Sequence, residues 1–185
     1  EILKMENIEE STIVEIEKDI NRLQTITDRF SKIGSEPVLE KRDIVEDTHK
    51  TIDYLQTRVS QQVSFSFKAP EHPIYVEINP ALHSWTIENL VKNAIDAMKG
   101  KGSLNIVISE LEDIVKISIT DTGKGIPKNQ FTKVFEPGFT TKKRGWGLGL
   151  SLTKRIVQEY HKGKIKVAHS EIGKGTTMQI SYKTA

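Results

Sequence analysis

The sequence predicts an α+β fold: mostly antiparallel strand pairs with helices over one face. Two strand pairs and a set of helical segments predict it. Residues 104–109 and 114–120 alternate apolar and polar side chains on either side of an acidic turn at 110–113, the pattern of two half-buried strands joined tightly. Residues 165–169 and 177–182 repeat it around Gly173-Lys174-Gly175. Between and before these pairs lie segments with apolar residues every three or four positions, the period of a helix with one buried face. The chain shows no internal repeat and no low-complexity tract.

In order along the chain, residues 8–33 read as a long amphipathic helix. Ile13, Ile16, Ile20, Leu23, Thr27 and Phe30 are spaced by threes and fours with charge between them. That spacing suits a coiled-coil seam, a helical hairpin with a partner helix, or a helix packed on its own domain. Gly34-Ser35-Glu36-Pro37 ends it and reads as a hinge. A second helix follows Asp43, with Ile44, Thr48, Ile52 and Leu55 on one face. Residues 62–67 and 74–78 are short strands. A helix runs from Pro80, a proline in its first turn, to about Lys99, and stops before Gly100-Lys101-Gly102. A short helix is expected near 128–134, and a longer one over 148–161.

A length of 185 residues fits one medium domain with an appendage. The chain is expected to be soluble, because no apolar run approaches the roughly 20 residues of a membrane helix. It opens at Glu1 without a leader, so it is expected to be a piece of something longer. Zero cysteines exclude disulfides and thiolate metal sites and accord with a reducing compartment. Net charge is +2 with the two signs interspersed, which gives no case for nucleic acid as the main partner. The one local cationic cluster is Lys142-Lys143-Arg144. Alone it would be a solvated loop; between two glycine motifs it favours an anionic ligand.

Four short motifs carry the chemistry. In Glu88-Asn89-Leu90-Val91-Lys92-Asn93-Ala94, Asn89 and Asn93 are four apart and share a helix face. Two carboxamides facing one way can hold a hard cation through oxygen and bond phosphates without adding negative charge; an isolated pair is more often a cap or a surface feature. Asp121, at the end of a strand apolar at Val115, Ile117 and Ile119, can accept from an exocyclic amine such as that of adenine. Gly123 and Gly125 after it allow close backbone approach and positive φ. Alone, Asp121-Thr122-Gly123 is a common tight turn. Phe139-Thr140-Thr141-Lys142-Lys143-Arg144-Gly145 joins polar, cationic and flexible residues, as a lid over a triphosphate requires. Gly145-Trp146-Gly147-Leu148-Gly149-Leu150 precedes a helix, so its amides and the helix dipole could face phosphate oxygens. Trp146 either plugs an apolar wall when the lid closes or packs outside. The Gly-x-Gly-x-Gly spacing is not the dinucleotide fingerprint, and no Gly-x-x-x-x-Gly-Lys-Ser/Thr occurs, so a P-loop is excluded.

With these motifs in this order, residues 35–183 closely resemble the catalytic, ATP-binding domain of sensor histidine kinases in the gyrase–Hsp90–histidine kinase–MutL superfamily. The resemblance implies a Bergerat-type two-layer α/β sandwich, a mixed sheet covered by three helices and preceded by the long amphipathic helix. It implies ATP and Mg2+ as cofactors, with Asn93 on the metal and Asn89 supporting metal or phosphate. Asp121 would read the adenine amine, with Thr176 near the base. Gly123, Gly125, Ile126, Lys92, Thr141, Lys142, Arg144, Gly145, Trp146, Gly147, Leu148, Gly149 and Leu150 would complete the nucleotide site; the glycines of 145–149 would bind phosphates through backbone amides, and Lys142 and Arg144 would contact the γ-phosphate. Phe135-Glu136-Pro137-Gly138-Phe139 matches the family's phenylalanine motif, and residues 136–147 make a short lid.

Residues 1–34 resemble part of a dimerisation hairpin lacking its acceptor histidine, and 35–185 the catalytic domain. His49, His72, His83, His161 and His169 read as structural. The implied partners are the histidine-phosphotransfer helix of the parent protein and a response-regulator receiver domain. A homodimer through 8–33 is one arrangement, and the parent is expected in the cytoplasm or at the inner membrane. Hydrolytic members carry Glu where this chain has Asn89; Glu88 is one residue earlier and about 100° around the helix. The amide therefore favours phosphotransfer over hydrolysis. Ala97 stands where many kinases place an aromatic ring and Asp96 where some place a cation, which shifts phosphate charge onto Lys142, Lys143 or Arg144. An ATPase of the gyrase or Hsp90 type and a non-catalytic nucleotide-sensing or docking domain are the alternatives.

Overall fold

The computed structural model describes residues 37–142 and 146–185, together with Ile13, Ile16 and Ile20. The chain divides into two units, Glu1–Pro37 and Val38–Ala185. Ile13, Ile16 and Ile20 are helical, with side chains 41–51% exposed. The rest of the expected helix over 8–33 and the hinge before Pro37 lie outside the described residues.

In the second unit the elements run β1 (Glu40–Asp43), α1 (Ile44–Gln56), β2 (Val63–Lys68), β3 (Tyr75–Ile78), α2 (Pro80–Ala97), β4 (Gly102–Leu111), β5 (Ile114–Asp121), α3 (Gly149–Arg155), β6 (Lys164–Glu171) and β7 (Gly175–Lys183). A five-stranded sheet has the order β2-β4-β5-β7-β6. Only the β2–β4 pair is parallel, so the sheet is mixed. Alternation sends Leu104, Ile106, Ile108, Val115, Ile117, Ile119, Met178, Ile180 and Tyr182 into the core. The opposite face carries half-buried polar residues such as Asn105, Lys116, Ser118, Gln179 and Ser181.

Helix starts follow their sequence signals. Asp43 Oδ1 accepts from Val45 N at 3.0 Å and Asn79 Oδ1 from Leu82 N at 3.1 Å, and Pro80 takes the first turn of α2. Helix α2 buries Leu82, Thr86, Ile87, Leu90, Val91 and Ala94 against β4, β5 and β7. Its polar residues Asn89 and Asn93 are thereby left at the margin of the core. The expected buried face of α1, with Ile44, Thr48, Ile52 and Leu55, is present.

The expected 74–78 strand is present as β3 and pairs with β1, outside the main sheet; β1 is unread in the sequence because Glu40-Lys41-Arg42-Asp43 has no apolar alternation. Three local expectations are corrected. The 128–134 helix is two 3-10 turns, Lys128–Gln130 and Lys133–Phe135. The 148–161 helix is α only to Arg155 and continues as a π turn over Ile156–Tyr160. The 110–113 turn is tighter, with β4 reaching Leu111 and Glu112 taking φ 54°. Among the described residues no helix is long and apolar enough to cross a membrane.

Candidate nucleotide site

At the end of β5 the alternation that buries Ile117 and Ile119 also turns Asp121 inward, leaving it 5% exposed. Gly123 N donates to its Oδ1 at 2.7 Å. Burial raises the Asp121 pKa, and hydrogen bonds from the Gly123 and Thr176 backbone N–H groups work against that rise. The side chain is therefore a desolvated acceptor, suited to a neutral N–H donor. Thr176 lies opposite it in register on β7.

A bulge in β6 between Val167 and His169 shifts the pairing by one residue and brings Ser170 opposite Thr176. Ser170 Oγ donates to Gly175 O at 2.9 Å and accepts from Ile126 N at 2.7 Å. Its hydroxyl proton is thus used, so Thr176 Oγ1, 2.9 Å away, acts as donor to it. Ser170 ties the Gly123–Ile126 loop to the late threonine. No motif announced it, because the bulge contains no glycine and residues 165–169 read as a regular strand.

Of the two glycines expected at positive φ, only Gly125 has it, at 74°. Gly123 acts by close approach instead: a Cβ there would lie 2.6 Å from the Ala97 carbonyl carbon, and Lys124 N donates to Ala97 O at 3.1 Å. The loop after Asp121 is thereby packed on the C-terminal end of α2, at Ala97.

The other end of the site is built between α2 and α3. Asn89 Nδ2 donates to Thr153 Oγ1 at 2.7 Å, and Thr153, fully buried, donates to Gly149 O at 3.0 Å. A Cβ on Gly149 would lie 2.6 Å from Asn89 Oδ1, so the glycine makes room for the amide. Thr153 was missed, although its place one turn after Gly149 sets it on the same helix face. Leu148 precedes α3 without a side-chain capping bond, which leaves first-turn N–H groups for an external acceptor. Gly138 N donates to Gly147 O at 3.1 Å, fastening the Phe135–Phe139 stretch to Gly147, whose φ is 66°. Leu150, Ile126 and Phe139 pack partly buried against the core.

Thr141 and Lys142 reach back across the site. Lys124 Nζ donates to Thr141 Oγ1 at 2.8 Å. Lys142 Nζ donates to Asn93 Oδ1 at 3.1 Å and to Asp96 Oδ2 at 2.5 Å. Asn93, the expected metal ligand, thus holds a cation through its amide oxygen, so its donor set fits a positively charged guest. Lys92 instead pairs with Glu88 at 2.5 Å along the exposed side of α2. Trp146 is 58% exposed. Lys143, Arg144 and Gly145 lie outside the described residues.

Residues 81–185, more than half of the chain, match the family described as histidine kinase-, DNA gyrase B- and HSP90-like ATPase. The chain is 33% identical over 167 residues to sensor histidine kinase ZraS of Escherichia coli strain K12, covering 83% of this chain and 35% of that protein. It is 33% identical over 174 residues to sporulation kinase E of Bacillus subtilis strain 168, covering 90% of this chain and 23% of that protein. The chain therefore spans about a third or less of these relatives. The catalytic domain of histidine kinase ThkA superposes with a TM-score of 0.70 at 26% identity, over 78% of this chain and 95% of that one. Full-length ShkA with AMPPNP superposes with a TM-score of 0.79 at 19% identity, over 95% of this chain and 38% of that one, a likeness of fold. The chain belongs to the histidine kinase-, DNA gyrase B- and HSP90-like ATPase family, and its second unit is an ATP-binding domain of the sensor histidine kinase type.

Proposed function

We propose that this domain holds Mg2+–ATP and presents its γ-phosphoryl group to a histidine on a dimerisation helix of the parent protein. The observation that carries the reading is the pairing of a desolvated Asp121 at one end of the site with the Asn89–Thr153–Gly149 arrangement at the other. Asp121 accepts the adenine amine, with Thr176 and the Gly123–Ile126 loop beside it. Asn89, Asn93 and the first-turn amides of α3 face the phosphates. Bound Mg2+ neutralises phosphate charge; it needs few protein ligands, with phosphates and waters completing its shell, and Asn93 would hold it. Lys142 and Arg144 steady the γ-phosphate.

Phosphotransfer is favoured over hydrolysis because Asn89 carries an amide, which is not a base, and its nitrogen is committed to Thr153. Glu88, the adjacent carboxylate in the chain, is paired with Lys92. The imidazole nitrogen of the acceptor forms the new P–N bond as the bond from the γ-phosphorus to the bridging oxygen breaks, and ADP leaves with the electron pair. Positioning and charge neutralisation supply most of such a transfer.

The same reading makes 1–34 part of the dimerisation and phosphotransfer region. It gives a response-regulator receiver domain as the downstream partner, the class of protein bound in the solved complex of ThkA with response regulator TrrA. It sets the domain in the cytoplasm.

The test supplies the chain with a dimerisation domain containing the upstream helix and with radiolabelled ATP. The expected product is acid-labile, base-stable phosphate on that domain, lost in Asp121→Ala and Asn93→Ala. Steady release of inorganic phosphate by the chain alone, with no phosphoprotein formed, would overturn the reading in favour of an ATPase.

A further inference from the structure

We infer that Asp96 is a positioning residue that stations Lys142 on Asn93, so that the lysine ammonium and a divalent metal compete for one amide oxygen. Asn93 and Asp96 are three apart on α2 and therefore neighbours on its surface. Lys142 Nζ bridges them, 3.1 Å from Asn93 Oδ1 and 2.5 Å from Asp96 Oδ2. These contacts join positions 49 and 46 residues apart in the chain, so they hold Lys142 against α2. A second contact, Lys124 Nζ to Thr141 Oγ1 at 2.8 Å, holds the preceding residue.

The inference rests on the reading of Asn93 as the metal-side amide. An ammonium and a divalent cation cannot both sit on one amide oxygen, because each would face an uncompensated like charge at contact distance. The arriving metal–nucleotide therefore displaces Lys142 from Asn93, and the γ-phosphate, an anion, is the partner to which the lysine can move. Asp96 sets the balance. With its carboxylate present the lysine is retained on α2; without it the lysine is available to phosphate from the start. Lys142 and Asp96 side chains are 44% and 56% exposed, so the retention is modest. Exposed pairs of this kind correspond to changes of about two- to fivefold in an equilibrium.

The experiment measures ATP affinity by calorimetry, with and without Mg2+, for the full chain and for Asp96→Asn, Asp96→Glu, Lys142→Gln and Asp96→Asn/Lys142→Gln. Asp96→Asn is expected to tighten Mg2+–ATP binding about two- to fivefold, and metal-free ATP binding by no more than that. Asp96→Glu should behave as the unaltered chain. In the Lys142→Gln background the Asp96→Asn effect should vanish, which separates release of the lysine from simple removal of a negative charge. An unchanged or weakened affinity in Asp96→Asn overturns the inference, as does a gain that persists without Lys142. Those outcomes leave the ATP reading standing, because the unaltered chain still binds. An unaltered chain with no affinity for ATP overturns both.

Discussion

Gly149→Ala tests the Asn89 arrangement without touching a polar group. The added Cβ would lie 2.6 Å from Asn89 Oδ1 and 3.2 Å from Nδ2, where ordinary contact begins at 3.4 Å. The amide must retreat by about 0.8 Å, enough to break its 2.7 Å bond to Thr153. Thr153 keeps its bond to Gly149 O, so no buried hydroxyl is orphaned, and the stability cost is that of one ordinary hydrogen bond, about 1 kcal/mol. Alanine in place of glycine in a helix returns up to about 1 kcal/mol. The two nearly cancel, so the melting temperature should move by no more than about 3 °C. ATP binding does not share the compensation. On the proposed reading, in which Asn89 faces the phosphates, its displacement loses a hydrogen bond to a charged group, about 1.5–3 kcal/mol, or roughly a 10- to 150-fold weaker complex. Calorimetric titration with Mg2+–ATP beside a thermal melt reads both numbers. Asn89→Ala in the Gly149→Ala background should add little, since the amide is already out of place. Affinity within twofold of the unaltered chain, or fully additive losses in the double variant, would refute the reasoning.

Two further outcomes follow from buried ionisable groups. The raised Asp121 pKa means that its carboxylate burdens the fold at any pH above that pKa, and the burden fades as pH falls toward the unfolded value. Asp121→Asn should therefore raise the melting temperature at pH 7, with a smaller gain in acid, while ATP binding is lost; an Asn variant that melts lower at pH 7 and still binds ATP would contradict the assignment. His83 and His161 are buried, with pKa lowered to about 3 and about 4, in both cases chiefly by burial. Below about pH 6.5 the unfolded chain takes up protons that these two side chains in the folded domain refuse, so stability should fall by about 2 kcal/mol per pH unit between pH 6 and 5. Urea melts at pH 7, 6 and 5 measure this, and a flat profile would show that the histidines do not act this way.

The legible parts of the fold were those encoded by near neighbours. The alternation in 114–120 and 177–182 read directly as strands whose inward residues are Val115, Ile117, Ile119, Met178 and Ile180. The proline in the first turn of α2 gave its start, and the spacing of Ile44, Thr48, Ile52 and Leu55 gave the face of α1 on which all four are buried. Glu40–Asp43 was illegible because its pairing with β3 depends on backbone bonds rather than on an apolar pattern. The π turn at Ile156–Tyr160 carries the same apolar spacing as an α-helix and was hidden for that reason. At the site, Asn89, Asn93, Asp121 and Thr176 stood out through motif order. Ser170 and Thr153 carry hydrogen bonds among the motifs and belong to none of them, and Asp96, legible only as a place where some kinases put a cation, instead holds the Lys142 ammonium.

The sequence by itself determined the α+β class, the strand pairs, the exclusion of P-loop and dinucleotide folds, and the identity of the nucleotide motifs. Those depend on residue type and short-range spacing, which chain stereochemistry converts directly into periodicity and turn geometry. Only the tertiary structure decided that β2 runs parallel to β4 and that β3 leaves the main sheet for β1. It alone bonded Asn89 to Thr153 across 64 residues and Lys142 to Asp96 across 46. Contacts at such separations are fixed by how packed elements meet, and the residues that make them need only be polar and correctly placed, a requirement that leaves no local pattern in the chain.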